Sequence, residues 1–189
     1  MSTEIFQFLN QFTPLSEGLK DRLQSILKAH TFKKKEFLLR IGEVCSNIYF
    51  IEKGLVRVFY TDDEGEEWCS GLLSEGGVCV AVPSFFQRQR SFENIQAIEE
   101  TTVYYLTYEE LEALYRDFPE YNIIGRKLIT EYYVRSEERN FWLRKHSAER
   151  KYQFFKEKFG DTTARFPVKD IASYLGIQIE TLSRLRGKV

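Results

Sequence analysis

Four polar side chains near the end of the chain have the types and spacing of groups that contact bases in DNA. Glu180 and Arg184 lie four positions apart, with Thr181 and Ser183 between them. On a helix, residues i and i+4 share one face. Arginine can donate two hydrogen bonds to guanine, glutamate can accept from cytosine, and serine and threonine can bond to either type of group. Three basic residues nearby are candidates for phosphate contacts: Lys169, Arg186 and Lys188.

Two short amphipathic segments, Val168–Leu175 and Ile179–Arg186, are predicted to hold these side chains. Between them Gly176 supplies the backbone freedom that a tight turn requires. The apolar residues of both segments can form one small shared core: Ile171, Leu175, Ile177, Leu182 and Leu185. This pattern predicts a helix-turn-helix whose second helix enters the major groove. The alternative is an ordinary helical hairpin with a solvated charged face.

Charge is distributed unevenly along the chain, although the net charge is only −1. From Lys145 onward ten Lys and Arg oppose five Asp and Glu, a balance of +5. The first 144 residues hold 17 basic and 23 acidic residues, a balance of −6. A basic C-terminal segment on an acidic body is typical of a protein in which only that segment contacts phosphate.

Residues that bind metals or carry out catalysis are sparse. Cys45, Cys69 and Cys79 show no CxxC spacing, which argues against an iron–sulfur or redox site. A β-domain enzyme of the cupin type needs a histidine and carboxylate metal set, and no histidine lies between His30 and His146. We therefore expect neither enzyme activity nor a cofactor.

Upstream, the apolar pattern predicts helical pieces over residues 4–30 and then a change to strands. Turn signals such as residues 62–65 separate seven short runs rich in Val, Ile, Phe and Tyr. The runs cover residues 37–39, 48–51, 55–60, 68–73, 78–82, 95–98 and 102–106. Several short strands with turns every eight to twelve residues indicate an antiparallel sandwich or jelly roll.

After the strands the helical period returns. A capping box opens a short helix at Thr107, and Pro119 begins a longer one. The stretch 120–144 has an apolar stripe and, as a helix, would be about 37 Å long. We predict that Ile124, Leu128 and Tyr132 form a dimer interface, the alternative being packing within the monomer.

The order of these elements resembles the Crp/Fnr family of bacterial transcription regulators over nearly the whole chain. Three stretches carry the resemblance, namely residues 48–58, 93–101 and 171–186. It implies an α+β fold with three parts: a cyclic-nucleotide-binding-like β-roll over residues 1–117, a dimerisation helix over 118–145, and a (winged) helix-turn-helix over 146–189. It also implies that Glu180 and Arg184 contact base edges.

One segment departs from the family's cyclic-AMP-binding members. Their phosphate cassette has Gly-Glu near its start and Arg-Ser/Thr-Ala near its end. Here Gly76 and Gly77 stand at the first place, and Ser91 begins a Ser-Phe-Glu sequence at the second. Glu93 would also repel a phosphate. The sequence therefore predicts a degenerate ligand cassette that does not bind cyclic AMP.

These observations predict a transcription regulator that binds a two-fold symmetric DNA operator as a homodimer. RNA polymerase and an unknown small-molecule effector are further expected partners. No apolar run approaches a membrane span and no signal-peptide pattern opens the chain, so we expect a soluble, cytoplasmic protein. The alternative function is a ligand-binding β-roll module of a signalling protein, such as a cyclic-nucleotide-dependent kinase or channel, without sequence-specific DNA binding.

Overall fold

The computed structural model describes residues 3–187 and has the α+β architecture that the sequence predicts. Two N-terminal helices, α1 (Thr3–Asn10) and α2 (Glu17–Ile26), precede the strands. The strands within the described range are β1 Lys28–Phe32, β2 Phe37–Leu39, β3 Asn47–Lys53, β4 Val56–Thr61, β5 Glu67–Leu73, β6 Val78–Cys79, β7 Asn94–Ala97 and β8 Thr101–Thr107. Each of the seven predicted runs corresponds to one of β2 to β8.

The strands form two antiparallel four-stranded sheets that enclose the core of a β-roll. One sheet has the order β1-β8-β3-β6 and the other β2-β7-β4-β5. The predicted turn at residues 62–65 joins β4 to β5. Its Asp62 carboxylate accepts the backbone amides of Glu64 and Glu66 at 3.0 and 2.9 Å. This short polar turn fixes the register of the hairpin.

The helices after β6 connect the β-roll to the C-terminus. They are α3 Val82–Gln87, α4 Tyr108–Asp117, α5 Pro119–Lys145, α6 Ala148–Phe159, α7 Val168–Leu175 and α8 Ile179–Arg186, with a 3-10 helix at Gly160–Arg165 between α6 and α7. The predicted capping box at Thr107 is present, because Thr107 and Glu110 each accept the other's backbone amide. Over residues 3–187 no helix combines the length and apolarity needed to cross a membrane.

The structure corrects the sequence prediction at two element boundaries. Residues 28–30 belong to strand β1 rather than to a helix. The first four residues of β1 are exposed at a sheet edge, so no apolar alternation marks it. Val82 begins α3 instead of ending a strand, and Pro83 in the first turn favours this start.

Buried side chains fall into two apolar clusters. The first fills the β-roll and includes residues of α1, α2, α4 and α5. The second lies among α6, α7 and α8, with Phe155, Ile171 and Leu182 almost completely buried. Leu55 and Leu72 of the β-roll belong to this second cluster. The C-terminal helices are therefore packed onto the β-roll through a shared apolar core.

The face of α5 that was predicted to meet a second copy faces the protein's own core instead. Ile124 is 0% exposed inside the first cluster, and the partly exposed Leu128 packs against the same cluster. Tyr132 lies one turn further along this face and is 60% exposed. The predicted interface is wrong for Ile124, because an apolar stripe shows that a face is buried but not what buries it. The roles of the partly exposed Leu128 and of Tyr132 stay predictions.

Candidate nucleic-acid interface

The turn between α7 and α8 has the geometry of a helix-turn-helix. Gly176 adopts the left-handed conformation with φ 61° and ψ 47°, which side chains with a Cβ disfavour. The amide of Ile177 donates to the carbonyl oxygen of Ala172 at 3.0 Å and closes the end of α7. The bounds of both helices match the sequence prediction. Burial of Leu182 and Leu185 against α7 fixes which face of α8 points outward.

The outward face of α8 carries the predicted base-contacting residues. Glu180, Ser183 and Arg184 are exposed, and within the described part of the chain their side chains make no hydrogen bond or ion pair. Thr181 is partly covered and lines a cleft together with Trp68 of β5 and Gln178 at the start of α8. Among the described residues no side chain caps the first amides of α8, so these donors have no side-chain acceptor. This end of α8 thus offers charged, polar and amide groups to a ligand.

The predicted phosphate contacts occupy different surroundings. Arg186 is partly exposed in the last turn of α8. Lys169 is exposed, with its ammonium 3.4 Å from the Glu67 carboxylate of β5. Lys188 lies outside the described residues. A phosphate would therefore compete with Glu67 for Lys169.

A buried polar junction that the sequence did not reveal holds α7 on the β-roll. The Arg57 guanidinium on β4 lies 3.0 Å from the Asp170 carboxylate of α7 and 2.9 Å from Glu67. It also donates to Gln96 and stacks over the ring of Phe59 at 4.0 Å. Asp170 is nearly buried, so Arg57 neutralises a charge that would otherwise be costly to desolvate. The sequence signal that could have indicated this junction is Asp170, an acidic residue on the buried face of α7.

Two further contacts attach the C-terminal helices to the same sheet. The backbone amide of Cys69 on edge strand β5 donates to the Ser173 hydroxyl of α7 at 2.8 Å. Arg165 bonds the carboxylates of both Glu75 and Glu99. Together with the shared apolar cluster, these contacts fix α7 across β5.

Polar groups of the degenerate cassette are satisfied within the protein. A Cβ atom placed on Gly77 would lie 2.9 Å from the carbonyl oxygen of Ser74, so a longer side chain there requires a backbone shift. Gly76 before it is left-handed, with φ 77°. Ser91 is buried and donates to the carbonyl oxygen of Glu93 at 2.8 Å. These residues therefore stabilise the loop rather than present donors to a ligand.

One of the two arginines near the cassette, Arg88, is likewise engaged. Arg88 donates to the carbonyl oxygen of Cys45 at 2.8 Å and stacks over the Tyr108 ring at 4.6 Å. Glu93 is partly buried, accepts the Ser70 hydroxyl at 3.3 Å, and forms no salt bridge within residues 3–187. Burial raises the pKa of Glu93 above its usual value, and the Ser70 hydrogen bond offsets part of the rise. The electrostatics of this segment disfavour a phosphate.

Glu93→Gln is expected to increase stability at neutral pH. A carboxyl with a raised folded-state pKa favours the folded state when protonated, and this advantage is lost as pH rises through that pKa. The variant should therefore melt higher than the unmodified protein at pH 7.5, and the difference should shrink toward pH 4.5. Thermal unfolding monitored by circular dichroism across this range tests it.

Glu67→Gln is the matched control, and its expected effect on stability at neutral pH has the opposite sign. Burial tends to raise the pKa of Glu67, but Arg57 outweighs it and holds the pKa below its usual value. Removing this carboxylate should lower the melting temperature at neutral pH and have little effect at acid pH. If the change in melting temperature caused by Glu93→Gln does not depend on pH, Glu93 is not a poorly solvated carboxylate with a raised pKa.

Comparisons with known proteins cover both parts of this structure. Residues 29–118 match the family model for the cyclic nucleotide-binding domain. The chain is 27% identical over 191 residues to the transcriptional activator protein Anr of Pseudomonas protegens, which covers 91% of this chain and 75% of that protein. The structure of FixK2 from Bradyrhizobium japonicum matches with a TM-score of 0.72 at 18% identity, over 86% of this chain and 84% of that one. The chain is therefore similar, over most of its length, to regulators of the Crp/Fnr family.

These comparisons confirm the resemblance to Crp/Fnr regulators and the α+β class predicted from the sequence. A structure from Eubacterium rectale described as a Crp/Fnr-family transcriptional regulator gives a TM-score of 0.71 at 17% identity, over 96% of this chain and 87% of that one. The predicted class of function, a transcription regulator of the Crp/Fnr type, is confirmed as well. Among the described residues no strand follows α8, and the winged form of the motif stays a prediction.

Proposed function

We propose that this Crp/Fnr-type regulator binds a two-fold symmetric DNA operator as a homodimer and does not respond to cyclic AMP. The observation that carries the proposal is the outward face of α8. Glu180 and Arg184 stand exposed one turn apart on a helix whose opposite face is fixed by the buried Leu182 and Leu185. A rigid helix that presents unpaired polar side chains suits insertion into the major groove.

The chemistry of this face supports specific contacts with bases. Arg184 can donate two parallel hydrogen bonds to the O6 and N7 atoms of guanine, and Glu180 can accept from the amino group of cytosine. Ser183 and Thr181 can add hydrogen bonds or contact a thymine methyl group. Arg186, Lys188 and, on release from Glu67, Lys169 supply the positive charge that phosphates require.

The homodimer is proposed to form along α5, through its exposed apolar side rather than through the face that holds the buried Ile124. Ile129 and Tyr133 lie one turn apart and are 54% and 65% exposed. Ile129 continues into an apolar groove with Phe86 and Tyr115 beside α5. An exposed apolar strip next to a groove is typical of a protein interface. Ile123, Val134 and Phe141 extend the exposed apolar surface of the helix.

Cyclic AMP at millimolar concentration is expected to leave the melting temperature unchanged. Any ligand that prefers the native state raises its stability, by about 2.7 kcal/mol at a hundredfold excess over Kd. The engaged Arg88, the crowded Gly77 and the acidic Glu93 give a cyclic phosphate no favourable site. A saturable increase in melting temperature would mean that Arg88 or Arg90 binds the phosphate.

Further partners follow from the proposed role. A regulator of this kind would act in the cytoplasm, where it would meet RNA polymerase. The β-roll is proposed to bind an effector other than a cyclic nucleotide, and no enzyme activity or cofactor is part of the proposal. The direct test is selection of bound duplexes from random DNA, which should enrich a two-fold symmetric sequence.

A further inference from the structure

A partly buried arginine joins the long helix α5 to the first helix of the helix-turn-helix. The Arg139 Nη2 atom donates to the carbonyl oxygen of Tyr174 at 3.1 Å, and the guanidinium lies 4.4 Å from the centre of the Tyr174 ring. The Nε atom of Arg139 is buried without an acceptor in the part of the chain that the structure describes. Within residues 3–187 this is the one hydrogen bond between α5 and α7.

Tyr174 is held from two sides. It is 4% exposed, and its hydroxyl accepts the Lys158 ammonium of α6 at 3.1 Å. The carbonyl group that Arg139 engages belongs to the last turn of α7, where carbonyls lack helical partners. Tyr174 comes two residues before Gly176, so its position sets where the turn and α8 begin.

The contacts of α7 with the rest of the protein lie at different points along the helix. Asp170 bonds Arg57 of β4 near the start, whereas Tyr174 bonds Arg139 near the end. These two points are about 6 Å apart along the axis. Asp170 and Ser173 both hold α7 to the β-roll, since Ser173 accepts the Cys69 amide of β5. Arg139 instead ties the end of α7 to α5, the helix that we propose for the dimer.

We infer that Arg139 is a positioning residue that sets the separation of the two α8 helices in the dimer, and hence the spacing of the two half-sites. The inference rests on the proposed DNA-binding homodimer. If α5 lies along the two-fold axis, the angle between α5 and α7 determines how far each α8 stands from that axis. One base-pair step is about 3.4 Å, so a small rotation at this junction changes which spacing fits.

The test uses operator duplexes whose half-sites are moved apart or together one base pair at a time, and a duplex with a single half-site. The operator is the one that the full chain selects from random DNA. Binding is measured by fluorescence anisotropy for the unmodified protein and for Arg139→Met, which keeps an unbranched chain but loses the guanidinium. We expect the preference for the best spacing over its neighbours to fall about tenfold in Arg139→Met. Affinity for the single half-site should stay unchanged.

Two variants make the result specific. Arg135→Met removes an exposed arginine one turn earlier on α5, whose partner is Glu131 at 3.4 Å, and should leave the spacing preference intact. Arg139→Lys keeps the charge without the planar guanidinium and should restore part of the preference.

Retention of the full spacing preference in Arg139→Met would overturn the inference. Loss of single half-site affinity in both Arg139→Met and Arg139→Lys would also overturn it, because a residue that only sets orientation leaves that affinity unchanged. If the unmodified protein selects no operator, the proposed function fails, and this outcome is distinct from the other two.

Discussion

Arg184→Ala should weaken operator binding by about 1–3 kcal/mol for each half-site and should remove the preference for one guanine. Arg184 is exposed, and its side chain makes no hydrogen bond or ion pair among the described residues, so its removal leaves the fold intact. A dimer loses the contact twice, which corresponds to a loss of about 30-fold to 10⁴-fold or more in affinity for the full operator. Competition between the operator and duplexes with each base replaced measures both effects.

Arg186→Ala is the matched control on the same helix. Arg186 lies in the last turn of α8, and we expect it to act through phosphate. Its loss should weaken binding to all DNA sequences alike. The salt dependence of binding should also fall by about one released ion for each subunit. An Arg184→Ala protein with the original base preference would show that another side chain contacts that guanine.

Ile129→Glu should convert the protein to a folded monomer that no longer binds its operator specifically. Ile129 is 54% exposed in the monomer, so glutamate there leaves the core undisturbed. In a two-fold interface the same change buries like charges and costs several kcal/mol, about 3–5. Without the second subunit, operator affinity should fall by about 10²-fold or more. Sedimentation velocity and anisotropy with the operator measure the two effects.

Leu128→Glu, at the neighbouring position, should behave differently. Leu128 packs against the protein's own core, so a charge there should lower the free energy of unfolding by about 2–3 kcal/mol. Ile129→Glu should leave the melting temperature close to that of the unmodified protein. If Ile129→Glu still sediments as a dimer, the interface lies on another side of α5.

The sequence predicts those parts of the structure that depend on neighbouring residues. Gly176 at the helix end and the apolar spacing around it define α7 and α8 to the residue. The capping box at Thr107 and the proline at 119 define the break between α4 and α5 for the same reason. Strands β2 to β8 are predicted because turn residues separate them. Each of these signals acts within a few positions of the chain.

The sequence does not predict features that depend on which distant parts of the chain pack against each other. Strand β1 has an exposed edge and therefore no apolar alternation. The apolar stripe of α5 shows that a face is buried, but the protein's own core covers Ile124. Arg57 and Asp170 are 113 positions apart, and nothing near either residue indicates the other. Such pairs become visible only when the fold brings them together.

Selection of bound duplexes from a random DNA pool tests the central claim most directly. If two α8 helices related by a two-fold axis contact adjacent major grooves, the pool should converge on an inverted repeat. Its half-sites should be centred about one helical turn, ~34 Å, apart. The same selection with Arg184→Ala should lose a guanine from each half-site. Failure to enrich any sequence, or enrichment of a single asymmetric site bound by a monomer, would contradict the account.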